Sequence, residues 1–233
     1  MKIFALKVLS LIFGLFLCAV SIVMSINADL GMAPWDLFHT GVSIHTGLTL
    51  GQVTICFSII IILIDVFALK VKIGLSTIIN MFSIGLFVDL VNTLNFVPHQ
   101  TGIASYVQFF ASMVVYSFGL YFYIGVGLGA GPRDSMFIGL CRKYNKSTRV
   151  VKTAIESVVF ILGVILGAKY GIGTAIFAFC TGPIMQFIYK KINFNISGIE
   201  HVYIDETIKM IKNKEMPFEV KLSEIIIHGE QKA

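Results

Sequence analysis

GMAPWDLFHTG, residues 31–41, is written a second time in this chain as GAGPRDSMFIG, residues 129–139. Gly31, Pro34, Asp36 and Gly41 return at a constant spacing of 98 as Gly129, Pro132, Asp134 and Gly139. A second block repeats at a spacing of 97: Lys72, Gly74, Thr77, Ile79, Phe82 and Gly85 match Lys169, Gly171, Thr174, Ile176, Phe179 and Gly182. The chain therefore reads as two related halves, 1–97 and 98–191, followed by a short tail, 192–233. Within each motif the proline suits a first helical turn, where its missing N–H has no partner to lose. An aspartate two residues later complements the positive end of the helix dipole. Pro34/Asp36 and Pro132/Asp134 each mark the start of a short helix, with Gly31 and Gly129 as hinges before it.

Around these motifs the chain is apolar. Hydrophobic residues make up 56% and charged residues 13%, and the mean hydropathy is +0.86. A soluble domain carries about 25% charged residues, so the composition indicates an integral membrane protein. Windows of about 20 apolar residues, enough to cross the hydrocarbon core, fall at roughly 8–26, 50–69, 75–96, 104–126, 150–168 and 172–189. The expected fold class is all-α: a polytopic membrane protein whose six transmembrane helices form two three-helix repeats. Three spans per half force the second repeat to enter the membrane inverted relative to the first. Each repeat also carries its short extra helix, lying at the interface or dipping in as a re-entrant hairpin. If both dip in, two positive helix ends meet near the midplane, where a solute can bind.

Charge distribution orients the chain. With the N-terminus in the cytoplasm, inner segments collect Lys2, Lys7, Lys70, Lys72, Arg142, Lys143, Lys146, Arg149, Lys190 and Lys191, and the outer loops hold only Lys169. Both termini are expected inside. The net charge of +5 follows from this asymmetry and faces anionic inner-leaflet lipid; no basic stripe interleaved with aromatic residues points to nucleic acid. The first span has the look of a signal peptide, but its repeat partner lies mid-chain and cannot be cleaved, so it is expected to be retained. Cys18, Cys56, Cys141 and Cys180 show no metal or redox spacing and read as small packing residues. No metal or cofactor is expected.

The paired glycine-proline-aspartate motif and the spans around it, residues 5–190, resemble the YczE/YyaS/YitT family of bacterial integral membrane proteins. The short tail places the chain nearer the YczE branch. This resemblance implies a bacterial cytoplasmic membrane protein of repeated three-span architecture and points toward transport without assigning an activity.

Candidate site residues follow from position. Asp36 and Asp134 read either as ordinary helix-starting acids or as ion- or proton-binding carboxylates, one near each gate. Arg133 opposes the dipole of its own helix, so it needs a compensating acid or anion: a carboxylate or phosphate on a solute, or a lipid headgroup. Trp35 fits an interface or packing role, or stacks on an organic solute at the outer side. Glu156 lies two turns into the fifth span, where a charge costs about 2.5–3.5 kcal/mol on insertion scales. It pairs with Lys152 one turn earlier, or serves as a protonatable coupling site. Asp65 and Asp89 fall near span ends, where solvation makes them ordinary. Asn80 either lines a polar path or bonds between helices, and Gly163, Gly167 and Gly171 have the spacing of close helix packing.

The leading functional expectation is a secondary transporter or facilitator of a small organic solute, with coupling to a proton or ion and a homo-oligomer both compatible with the sequence. The alternative is a membrane interaction or regulatory protein that acts through its cytoplasmic tail, in which IDETIKMIKNK reads as a helix and FEVKLSEIIIHG as a strand. No HExxH, GxSxG or nucleotide-binding loop is present, and the chain is not expected to be an enzyme.

Overall fold

The computed structural model describes residues 2–194, 199, 201–206 and 208. Most of the tail expectations, including the helix and strand at its end, lie outside these residues. Among these residues eight long helices follow in order: α1 Lys2–Asn27, α2 Pro34–Thr46, α3 Leu50–Leu63, α4 Leu75–Thr93, α5 Ile103–Ile124, α6 Pro132–Tyr144, α7 Thr148–Ile165 and α8 Ile172–Lys191. A π-helical turn, Ile64–Ala68, continues α3. No strand occurs among the described residues.

Among the described residues five helices are long and apolar enough to cross a membrane: α1, α3 with its π turn, α4, α5 and α8. The expected span at 150–168 coincides with α7, which carries Arg149, Lys152 and Glu156. Large apolar side chains point outward, among them Phe67 at 76% exposure, Ile103 at 84% and Phe179 at 79%. Such a surface suits hydrocarbon, where α-helices satisfy their own backbone.

Lipid removes much of the hydrophobic drive between helices, so close backbone approach through small residues carries more of the packing. α1 and α5 cross in this way. A Cβ on Gly14 would lie 2.7 Å from the Gly119 carbonyl oxygen, and one on Gly119 would lie 2.6 Å from Cys18 Sγ. Further along the same crossing, Ser21 Oγ donates to the Ser112 carbonyl at 2.8 Å. Ser112 and Ser21 are the counterparts of Gly14 and Gly119 at the 98-residue spacing.

Other contacts also recur with the halves exchanged. Gly173 N–H donates to the Leu30 carbonyl at 2.7 Å, and Ser76 N–H to the Leu128 carbonyl at 2.9 Å. α2 packs on α7 as α6 packs on α3; α1 packs on α4 as α5 packs on α8. Gly41 and Gly139, the last glycines of the two motifs, make these approaches feasible: their Cβ positions lie 2.7 Å from Leu166 Cβ and 2.9 Å from Leu69 Cβ.

The halves differ at one seam. α3 and α4 meet backbone to backbone, Gly51 against the Gly85 carbonyl and Gly85 against the Gly51 carbonyl. Asp89 of α4, half-buried rather than simply solvated, fixes this seam by accepting from Gly51 N–H at 2.9 Å and Thr49 Oγ1 at 2.5 Å. Thr49 in turn caps α3 reciprocally with Gln52. A Cβ on Gly182, the counterpart of Gly85, would meet nothing within 4 Å.

The small-residue spacing Gly163, Gly167, Gly171 is not one packing face. Gly163 sits under α2 with its Cβ position 2.9 Å from the Leu37 backbone, whereas Gly167 turns at φ 77° after α7. Gly171 precedes α8 against the Leu30 carbonyl.

Candidate functional site

Each short helix begins where the chain has doubled back from the end of the preceding long helix. Gly31 (φ 126°) and Gly129 (φ 110°) make the reversals, in a region that side-chain-bearing residues seldom enter. Both are also jammed against the other half: a Cβ would lie 2.5 Å from Thr174 N at Gly31 and 2.6 Å from Gly74 Cα at Gly129. Matching threonines hold the loops. Thr174 Oγ1 accepts from Met32 N–H at 3.3 Å, and Thr77 Oγ1 donates to the Ala130 carbonyl at 2.5 Å. Pro34 and Pro132 then open α2 and α6 as their first helical residues.

The packing partners fix the depth of the helix starts. Trp35, beginning α2, shares an apolar cluster with Val159 from the middle of α7, while Gly41 and His45 reach Leu166 at its end. Met136 and Phe137, early in α6, share that cluster with Ile61 of α3, whereas Gly139 reaches Leu69 and Val71 beyond it. Both first turns thus lie in the interior and open on one cavity of about 110 Å³. Asp36, Arg133 and Asp134 line it together, with Thr54, Ser58, Asn80 and Tyr123 adding polar groups. Cys18, Tyr116 and Phe177 supply apolar wall.

Arg133 reaches from α6 to the start of α2. Its guanidinium lies 4.9 Å over the Trp35 ring, 3.9 Å from Asp36 Oδ1 and 3.3 Å from His39 Nδ1. An acid of the kind its position demanded is therefore beside it in Asp36, from the other half. Trp35 is buried in an interior cluster beneath this cation rather than placed at an outer surface. His39 is 1% exposed, stacks on Phe57 at 5.6 Å and leaves its Nε2 without a partner among the described residues.

The two motif acids differ in setting. Asp36 is buried beside Arg133, whereas Asp134 presents an exposed carboxylate to the cavity. Glu156 is outside the cavity lining; it lies 3.8 Å from Lys152, one turn earlier on α7.

Three residues outrank their reading in the sequence. Tyr123 is 2% exposed, lines the cavity and has a hydroxyl without a side-chain partner among the described residues. With Ser112, Tyr116 and Gly119 it forms a polar and small-residue stripe at helical spacing on α5, a signal legible in the sequence. Asn80, read in the sequence no differently from other polar residues of the spans, lines the cavity. Asp65, expected to be solvated, is 1% exposed because α6 packs over the π turn that carries it, and neither carboxylate oxygen has a partner among the described residues.

On the face where α4 and α6 are entered, the chain beyond α8 crosses two loops. Val202 N–H donates to the Gly127 carbonyl at 2.8 Å and Ile204 N–H to the Ile73 carbonyl at 3.0 Å. Lys72 Nζ lies 3.2 Å from Asp205 Oδ2, both side chains exposed; this hydrogen bond holds the Asp205 carboxyl below the usual aspartate range.

A family of unknown function, DUF6198, matches residues 5–190, and the chain belongs to it. An uncharacterized protein of Haemophilus influenzae is 32% identical over 183 residues, 78% of this chain and 83% of the relative. Uncharacterized membrane protein YczE of Bacillus subtilis is 31% identical over 176 residues, 75% and 81% respectively. The uncharacterized protein YyaS of the same organism is 23% identical over 182 residues, 77% and 90%. No solved structure matches. With a relative named as a membrane protein and five helices able to span, the chain is a polytopic membrane protein.

Proposed function

We propose that this family member is a secondary transporter or facilitator of a small organic solute in the bacterial cytoplasmic membrane, and not an enzyme. One observation carries the reading: the first turns of α2 and α6, supplied by different halves, open on the same cavity and present an acid each. In this account α7 is the sixth span, and the halves form inverted three-span repeats with both termini cytoplasmic and α2 and α6 re-entrant. The exchanged contacts, Leu30 with Gly173 and Leu128 with Ser76, support the inversion. The Lys152–Glu156 pair eases the insertion of α7, since paired intramembrane charges cost less than lone ones.

Transport then needs each half to open in turn. The seam of α3 and α4 is shut by Gly51, Gly85 and Asp89, while Gly182 faces open space. That difference fits a state closed on the outer side, and exchanging it between halves would expose the cavity to the other face. Asp134 and Glu156 are the carboxylates available for proton or ion coupling.

A thermal-shift screen of the purified protein against metabolites and vitamins tests the reading. A bound solute raises apparent stability as RT ln(1 + [L]/Kd). We expect a stabilising solute whose effect is lost in Asp36→Asn or Asp134→Asn, with both variants folded. Normal solute flux in both variants would remove the site.

A second reading has its own observation. Residues 202–205 tie together the loops that lead into α4 and α6, as a regulatory protein acting through its tail would require. Loss of phenotype on deleting residues 195–233, with both aspartate variants active, would favour it.

A further inference from the structure

Asp36 and Asp134 hold equivalent places in the two motifs, yet only Asp36 has an ionic partner. Among the described residues no ion pair or hydrogen bond reaches the Asp134 carboxylate, although it opens on the cavity. Nearby cations are engaged elsewhere: Arg133 with Asp36, His39 and Trp35, and Lys152 with Glu156. Lys152, Arg133 and His201 bear on the Asp134 charge electrostatically, yet among the described residues none of them pairs with it directly.

Other polar groups converge beside it. A Cβ built on Gly131 would lie 2.6 Å from Tyr123 Oη, 3.3 Å from Asn80 Nδ2 and 3.5 Å from Asp134 Oδ2. A phenol, an amide and a carboxylate thus surround one point that only a glycine leaves accessible. The buried Tyr123 hydroxyl has the Gly131 backbone beside it and no side-chain partner among the described residues, which leaves a lone pair for a ligand, and the Asn80 amide can present either oxygen or nitrogen by rotation. All three therefore offer oxygen acceptors to a donor group placed between them. Tyr116 and Phe177 line the same cavity, and aromatic faces attract cations or cover an alkyl stem.

We propose that Asp134, Tyr123 and Asn80 form a subsite for the ammonium group of a small organic amine. The acceptor set selects a monovalent N–H donor over a hard divalent metal, which takes about six or more oxygen ligands; no cluster of three metal-ligating side chains occurs among the described residues. The subsite deepens the transporter reading by naming its substrate class, and its binding chemistry stands or falls separately from flux.

The test uses the full chain in detergent, titrated with methylammonium chloride, ethanolammonium chloride, sodium chloride and sodium acetate at constant ionic strength. Saturable stabilisation by either amine, absent with sodium or acetate, is expected. Asp134→Asn should weaken amine binding about tenfold or more, the scale of a lost charged hydrogen bond. Tyr123→Phe, which keeps the ring and so preserves the test if Asp134→Asn does not fold, should weaken it about fivefold. Asp65→Asn should leave it unchanged. Equal stabilisation by sodium, stabilisation by acetate alone, amine binding indifferent to both variants, or no amine binding overturns the proposal. Amine binding without amine flux in liposomes would keep the subsite and sink transport; flux of an uncharged solute without amine binding would do the reverse.

Discussion

Alanine at Gly85 and alanine at Gly182 are the same chemical change at equivalent places, and they should have opposite consequences. At Gly85 the new methyl collides with the Gly51 carbonyl oxygen and comes within 2.7 Å of Ile55 Cγ1. Both neighbours are held: Gly51 N–H is bonded to Asp89, and Ile55 is the next turn of the same helix. Overpacking of this kind costs about 1–3 kcal/mol, against a helix-propensity gain of about 1 kcal/mol for replacing glycine. At Gly182 only the gain remains, because nothing lies within 4 Å. The overpacking falls on the α3/α4 seam, so the ratio of opened to closed seam should rise about 5–150-fold in Gly85→Ala. The assay is labelling of Ser58→Cys, a cavity-lining position on α3, in a chain whose native cysteines are serine. An impermeant thiol reagent is applied from the face that carries Thr49 and Thr93. Labelling should accelerate in Gly85→Ala and stay at the parent rate in Gly182→Ala. Equal rates in all three proteins, with unchanged melting temperatures, would refute the claim that this seam is the closed one.

The Arg133–Asp36 contact should show in a double-mutant cycle: Asp36→Asn and Arg133→Gln each destabilise, and the pair together costs less than their sum by about 0.5–3 kcal/mol, read by chemical or thermal unfolding. Asp65, buried with neither oxygen satisfied among the described residues, should be a liability. Asp65→Leu, which removes both oxygens at similar volume, is expected to raise stability by about 1–3 kcal/mol, the penalty of an unsatisfied buried polar group; a lower melting temperature would mean the acid has a partner. Lys72→Ala should release residues 201–206, seen as faster limited proteolysis after α8. Acid should act likewise. Because Lys72 depresses the Asp205 pKa, the attachment persists above the ordinary aspartate value and is lost as the pH falls below it, through the lowered one.

The short helices were legible because their signals are local: a proline fits a first turn and an acid complements its dipole wherever they occur. Repetition at a fixed spacing then showed that Asp36 and Asp134 belong together, and the structure places both at one cavity. What the sequence withheld depends on tertiary packing. Nothing in the neighbourhood of Asp65 announces that α6 will cover it. The stripe of Ser112, Tyr116, Gly119 and Tyr123 marks one face of α5 in the sequence, but only the fold sets Gly131 against the Tyr123 hydroxyl. Arg133 announced that it needed an acid, but chain separation hid that the acid is Asp36, 97 residues earlier. Gly85 and Gly182 are identical letters in matched blocks; only the arrangement of α3 with α4 distinguishes them. α7 had the length of a span, yet its three charges set it apart from the five helices apolar enough to cross.

The claim on which the account rests is that two seams trade places around one cavity. Electron-spin distance measurements in nanodiscs test it without knowledge of the solute. One label pair, Leu48→Cys with Leu94→Cys, spans the ends of α3 and α4. The other, Val150→Cys with Ile192→Cys, spans the corresponding ends of α7 and α8. All four positions are exposed. The account predicts two distances at each pair, with Gly85→Ala enriching the long distance at the first and the short distance at the second. A single distance at both pairs, indifferent to Gly85→Ala, would contradict it.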